Sequence, residues 1–248
     1  MKIKFILIIL FLSKNILANT TQQTEITTDE GIEVFQNEKY YLMKKNVEIK
    51  SPNFNLTANQ VKAYFDKDLY DIVKIESKGE AKLLSNEGIE AKGSVINLIL
   101  INNEIYISGL NSSLFYLDIK MYSDKSIKVI NSTGEFFIKG NNAKLITNEI
   151  EITGDIINGK YSSNEDNSIQ INELNETNNK SPKQNNELES LFVEDNDLLN
   201  IKTESMNSFS KKAIYVKNKN IIELFDEVEI IRVGETIVGD YAEINTLT

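Results

Sequence analysis

Apolar and polar residues alternate with a period of two along most of this chain, which leaves the backbone little choice but extended strand. Val47 and Ile49 alternate with Glu48 and Lys50, and Phe54, Leu56 and Ala58 with Asn55 and Thr57. Val61, Ala63 and Phe65 flank Lys62 and Tyr64, and Val73 and Ile75 flank Lys74. The same beat returns at Ile105 and Ile107, Ile150 and Ile152, and Val228 and Ile230. β-Branched and aromatic residues dominate these runs, and turn clusters such as Asn37-Glu38-Lys39 and Asn102-Asn103 separate them. Pro52 and Pro182 are the only prolines, so little interrupts a hydrogen-bonded ladder. A helical stripe is suggested only at Glu187 to Val193. The expectation is an all-β protein with one apolar face per strand.

The first eighteen residues follow a different rule. Lys2 and Lys4 precede an unbroken apolar run from Phe5 to Leu12, and Ile16-Leu17-Ala18 ends it on a small residue. That is the layout of a secretory signal peptide with its expected cut after Ala18. Its apolar core is far shorter than the roughly 20 residues a spanning helix needs. The expected product is exported and starts at Asn19.

Composition removes whole classes of function. Without the leader's Lys2, Lys4 and Lys14, the 27 basic residues fall to 24 against 37 acidic ones, a net charge of −13. So acidic a surface argues against nucleic acid and against docking on anionic lipid. There is no cysteine, so an exported fold is held by packing alone. With neither His nor Cys, the usual zinc and copper sites and the His-activated nucleophiles are absent, and no Gly-rich phosphate loop is present. Carboxylates such as Glu48, Glu76, Glu229 and Asp240 lie in alternating runs, where they read as a solvated face. No catalytic residue, metal site or cofactor is expected, and an enzyme is disfavoured.

Internal repetition sets the architecture. Val47-Glu48-Ile49 overlies Val228-Glu229-Ile230 at an offset of 181. Without a gap, Leu56-Thr57-Ala58-Asn59 then falls on Ile237-Val238-Gly239-Asp240, and Val61 and Ala63 on Ala242 and Ile244. A shorter echo at an offset of 31 sets Ile107-Ser108-Gly109 over Ile138-Lys139-Gly140, with Asn111, Leu114, Ile119 and Asp124 over Asn142, Leu145, Ile150 and Asp155. Each unit reads as a strand, a small-polar turn and a returning strand, too small to bury its apolar face alone. Ala58-Asn59 and Gly239-Asp240 shift the inward phase by one residue, as a bulge would. Ser162 to Asp197 interrupts the pattern with an Asn/Glu-rich tract expected to be disordered, with a short helix near Leu188 to Val193. The expected organisation is a leader over 1–18, a β region over 19–161, the insert over 162–197 and a closing β repeat over 198–248.

A leader followed by repeated V-x-I, a turn and (I/L)-x-(A/G)-(D/N) resembles the OstA-like proteins. The resemblance covers Ile26 to about Asp155 and returns from Ile201 to Thr248. Where the family often carries Gly-Asn before the first valine, Lys45-Asn46 and Asp226-Glu227 stand here, and the long insert is untypical.

The resemblance implies an open, twisted β-jelly roll around a greasy trough, in a periplasmic protein that binds lipopolysaccharide by its lipid A acyl chains. It also implies LptC-like inner-membrane and LptD-like outer-membrane partners, and head-to-tail self-assembly. The apolar phase nominates Val47, Ile49, Phe54, Leu56, Val61, Ala63, Val73, Ile75, Val228, Ile230 and Ile237 as trough lining. Strand-like ends around Ile32 and Phe35, and around Ala242 and Ile244, are the expected docking edges. Other readings remain: a β-solenoid structural or adhesion protein with a filled core, an anchored LptC-like component, or a polysaccharide-acting β-helix with inward carboxylates.

Overall fold

A computed structural model describes residues 24–86, 88–161 and 188–245. The expected leader with Ala18, and residues 162–187 of the insert, lie outside them. Sixteen strands form one antiparallel sheet. They are β1 (Glu25–Thr27), β2 (Ile32–Phe35), β3 (Tyr40–Lys50), β4 (Phe54–Phe65), β5 (Ile72–Ser85) and β6 (Glu90–Ile99). Four short strands follow: β7 (Glu104–Ser108), β8 (Ser112–Tyr116), β9 (Ile119–Ser123) and β10 (Ser126–Ile130). The rest are β11 (Glu135–Ile146), β12 (Glu151–Tyr161), β13 (Leu188–Lys202), β14 (Asn207–Val216), β15 (Ile221–Arg232) and β16 (Glu235–Asn245). No α-helix occurs among the described residues.

The sheet is a meander, each long strand pairing with its neighbours in sequence. β7 and β8 together run along β6, and β10 and β9 together run along β11, so each pair is one long strand broken in the middle. β1 and β2 do the same along β3.

That break falls at one level across the whole sheet. Register shifts lie between Lys44 and Val47, Thr57 and Gln60, Lys78 and Ala81, and Lys139 and Ala143. They recur between Thr153 and Ile156, Glu194 and Leu199, Phe209 and Lys212, and Phe225 and Val228. Left-handed backbone marks the level: Lys45 and Asn46 (φ 66 and 51), Gly79 and Glu80 (φ 81 and 49), Asp226 and Glu227 (φ 61 and 53). Extra residues at matching heights bend every strand, so the sheet creases along one line into two halves. Inward side chains on both halves are buried in one continuous cluster, and with no α-helix among the described residues to cover them the halves cover each other. The result is a jelly roll whose sheet stays open, because β16 and the β1–β2 pair end it without meeting.

Both sequence echoes are structural. The offset of 181 carries β3 onto β15 and β4 onto β16, left-handed residues included: Lys39 onto Asn220 (φ 56 and 52), Lys45 onto Asp226, Asn46 onto Glu227. The offset of 31 carries β7 and β8 onto the two arms of β11, with Gly109 (φ 113) on Gly140 (φ 146) at the crease. As expected from Ala58-Asn59, the inward set on β4 switches from Leu56 and Ala58 to Val61 and Ala63.

The insert is shorter than its composition suggested. Leu188 to Asp197 was expected to be disordered with a short helix, yet Leu188–Lys202 is strand. Leu191 and Val193 on one side of the crease, and Leu199 and Ile201 on the other, are buried inward residues. The acidic Glu194-Asp195-Asn196-Asp197 run that reads as solvated spans the crease itself.

Crease glycines are held by sterics. A Cβ on Gly109 would sit 2.5 Å from the Ser94 Cβ, whereas one on Gly31 (φ 85) would meet nothing within 4 Å. Both are left-handed, so both pay backbone strain on substitution. Gly109→Ala should therefore cost about 2–4 kcal/mol and Gly31→Ala about 1 kcal/mol, read as the midpoint shift in urea denaturation.

Candidate functional site

The interior between the halves is the feature with chemical consequence. Its lining is almost wholly apolar: Leu56, Val61, Ala91, Ile96, Ile107, Ile127, Phe136, Ile138, Leu145, Ile152, Ile157, Val193, Leu199 and Leu224 are all fully buried. Among the described residues the buried polar side chains are Thr24 and serines, and single oxygens of Asn97 and Asp124 are buried as well. Those serines are largely neutralised by the backbone: Ser77, Ser112, Ser123, Ser208 and Ser210 donate to the carbonyls of Ile96, Gly109, Lys139, Ile201 and Lys212.

Most of the nominated lining residues lie on this face. Val47, Ile49, Leu56, Val61, Ala63, Ile75, Val228 and Ile230 are buried in the central cluster, and Phe54 packs against it half-buried. Val73 does not: Phe65 pairs with Ile72 and Tyr64 with Lys74, so Val73 is the extra residue of an irregularity and Ile72 packs in its stead. Ile237 faces inward, opposite Ile230, yet is 43% exposed. Its counterpart Leu56 is fully buried because β5 continues the sheet beside β4, whereas no strand among the described residues continues it beyond β16. The interior is therefore packed shut along its middle, not an open trough, and it is uncovered at the β16 end.

The nominated docking residues occupy the two edges of the sheet. Ile32 and Phe35 lie on β2, which pairs only with β3, and Phe35 stacks on Tyr40 with ring centroids 4.7 Å apart. Ala242 and Ile244 lie on β16, which pairs only with β15. Their side chains point into the core, with Ile244 buried opposite Ile222, so what this edge offers a partner is its backbone.

Folding at the crease brings the free ends of the two halves together as a mouth. The turn between β8 and β9 carries Asp118, whose charge is felt by Tyr161 at the end of β12. The turn between β11 and β12 carries Glu149, whose charge is felt by Tyr215 near the end of β14. Burial first, and these carboxylates second, push both phenols upward. Tyr41 is the third inward tyrosine at this level, and its hydroxyl donates to the Leu69 carbonyl at 2.7 Å. The mouth residues were not among those nominated. Their signal was present: each is the last inward position of an alternating run, as Tyr161 is to Ile157.

The outer faces carry ion pairs, across strands as in Lys128–Glu104 at 3.1 Å and along one strand as in Lys74–Glu76 at 2.7 Å. Glu76 also accepts a hydrogen bond from the Tyr64 hydroxyl at 3.0 Å. Burial and this contact push the Tyr64 phenol up to about 12. For Glu76, burial acts upward, but the bonds from Lys74 and Tyr64 outweigh it and hold the carboxyl below its ordinary value. Among the described residues no helix is long and apolar enough to cross a membrane.

No family model matches this chain, and no curated protein matches its sequence. Among solved structures it is similar to LptH, titled the LptA homologous periplasmic component of the conserved lipopolysaccharide transport device from Pseudomonas aeruginosa. That similarity has a TM-score of 0.39 and 16% identity, over 44% of this chain and 76% of LptH.

A carboxylate depressed in the fold stabilises it above the ordinary carboxylate pKa, and that stability is lost as pH falls through the lowered value. Glu76→Gln should thus cost up to about 1 kcal/mol at neutral pH. The gap from wild type should close on acidification below about pH 4, measured by urea denaturation across pH.

Proposed function

We propose that this chain is an exported, non-catalytic carrier that shelters acyl chains between the halves of its jelly roll, with lipopolysaccharide as the cargo. The observation that carries this reading is the uncovered inward face at β16, where Ile237 presents apolar surface opposite the buried Ile230. An acyl chain entering there would part the halves progressively along the meander. The gain is large: at roughly 0.8 kcal/mol per methylene, a twelve-carbon chain is sheltered by about 10 kcal/mol. The expected secretory leader and the resemblance to the OstA-like motif support the same reading, which includes a periplasmic location between LptC-like and LptD-like partners. An acidic exterior leaves a phosphorylated headgroup in solvent.

A second reading is favoured by the closed middle. Fully buried residues such as Ile96, Ile107 and Ile138 also suit a structural or adhesion protein with a filled core.

Ile237 separates the two. Ile237→Asp puts a carboxylate on the inward face where it is already solvated, so the fold should survive, while co-purifying lipopolysaccharide should fall at least tenfold by mass spectrometry. Val238→Asp, on the opposite face, should change neither. Wild-type protein that captures no acylated lipid would favour the filled-core reading.

The edges fit head-to-tail extension, the backbone of β16 in one copy pairing with the β1–β2 edge of the next. Asp240 is exposed and faces no β15 residue in the register. Ile244→Pro alters a residue paired with Ile222 and would disturb the core, so Asn245→Pro, at the end of the strand, is the milder probe. It should reduce concentration-dependent rods in solution scattering and leave the monomer folded.

A further inference from the structure

Tyr161 has a feature that neither packing nor the strand ladder explains. Its side chain is inward at the mouth and 8% exposed, and its hydroxyl is buried without a hydrogen-bond partner among the described residues. Buried hydroxyls are ordinarily paired, and the serines of this same interior donate to carbonyls. Tyr41, at the same level, is satisfied by Leu69. Tyr161 is also held firmly in place. Its ring lies against the fully buried Phe136, with centroids 5.0 Å apart at 30°. Its backbone N–H donates to the Gly134 carbonyl at 3.0 Å. Gly134 is itself constrained, since a Cβ there would come within 2.2 Å of the Tyr161 carbonyl oxygen. Only the O–H torsion is free. A fixed, unspent donor at the boundary between apolar lining and solvent matches the one polar group that every acyl chain brings, the carbonyl linking it to its headgroup.

We propose that Tyr161 donates a hydrogen bond to the ester or amide carbonyl of an acyl chain lodged between the halves, so that the interior selects acyl-linked over ether-linked lipid. The proposal rests on the acyl-carrier reading and adds the group that sets the depth at which the chain stops. Below Tyr161 the same strand continues inward with Gly159, Ile157, Gly154 and Ile152, which offer no donor to a carbonyl through their side chains. Above it stands the Asp118 turn, whose carboxylate accepts from Asn148 at 3.2 Å and would repel a second acceptor. The donor thus has an apolar wall on one side and a negative charge on the other. A neutral carbonyl suits that position better than a phosphate does.

The test uses the full-length mature protein and two probes of equal chain length, a diacyl phosphatidylethanolamine and its dialkyl ether analogue. Each is offered from small vesicles, and retained lipid is counted by mass spectrometry. Wild type should retain the diacyl lipid about fivefold to tenfold over the ether, the value of one hydrogen bond. Tyr161→Phe should keep the fold and the ether-lipid level and lose the preference. Tyr41→Phe, which removes a hydroxyl already paired, should leave the preference intact. An unchanged preference in Tyr161→Phe overturns the assignment while leaving the carrier standing. So does a lowered melting temperature in both Tyr161→Phe and Asp118→Asn with that ratio unmoved, which would mark a water-bridged latch across the mouth. Retention of neither probe by wild type overturns the carrier reading and the Tyr161 assignment together.

Discussion

The crease on which everything else depends is a matter of chain geometry. A long antiparallel meander with one apolar face has nowhere to put that face unless something covers it. Many β proteins supply a second sheet or a helix. Here register shifts near the middle of the long strands leave extra residues on one strand of each pair, and at Lys45-Asn46, Gly79-Glu80 and Asp226-Glu227 the backbone turns left-handed to absorb them. Because ladder pairing aligns these residues, a local irregularity becomes a fold line through the whole sheet. The two halves then close on one another, with their inward residues in a single cluster.

This arrangement makes the interior and the mouth products of the same device. Residues near the crease, such as Ala143 and Leu199, are sealed from water on all sides. Residues at the free ends of the strands meet their opposite numbers only through side chains, as Tyr161 meets the charge of Asp118. No backbone hydrogen bonds need to break for the mouth to widen, whereas widening the crease would tear the ladder. Opening at the mouth and stability at the crease therefore draw on different parts of each strand.

Most of the fold was legible in the sequence because its controlling variable is phase. The alternation places Val47, Ile49, Leu56, Val61 and Ala63 on one face, and the Ala58-Asn59 step announces the switch between arms. The repeat at 181 even carries left-handed positions whose residue types differ, Lys45 with Asp226 and Asn46 with Glu227, since what is kept there is the extra length. Three things escaped for physical reasons. Leu188–Lys202 is a strand whose crease happens to be acidic, so a local composition reading takes the bend for the end of order. Val73 lies at an irregularity near a turn, where alternation stops predicting direction. Ile237 keeps the right phase but lacks a neighbouring strand, and whether an inward residue is covered depends on what lies beside it in space. The mouth tyrosines carry the inward phase at the ends of their runs, but what faces them is set by the closure, because those groups come from turns dozens of residues away.

The meander also governs how such a molecule comes into being. Every long strand pairs with those adjacent in sequence, so apart from the connection of β12 to β13 through 162–187 the loops to be closed are short and each hairpin can form before the next is available. Assembly can start at any hairpin and zip outward, each addition stabilised mainly by its immediate neighbour, in the manner of a one-dimensional array. A chain that emerges end first during synthesis can then order itself as it arrives. Duplication of one hairpin lengthens the interior by a fixed increment and leaves the remainder undisturbed. The echoes at 31 and 181 residues read as traces of that growth, and they make the length of the interior a quantity that changes in steps of a repeat.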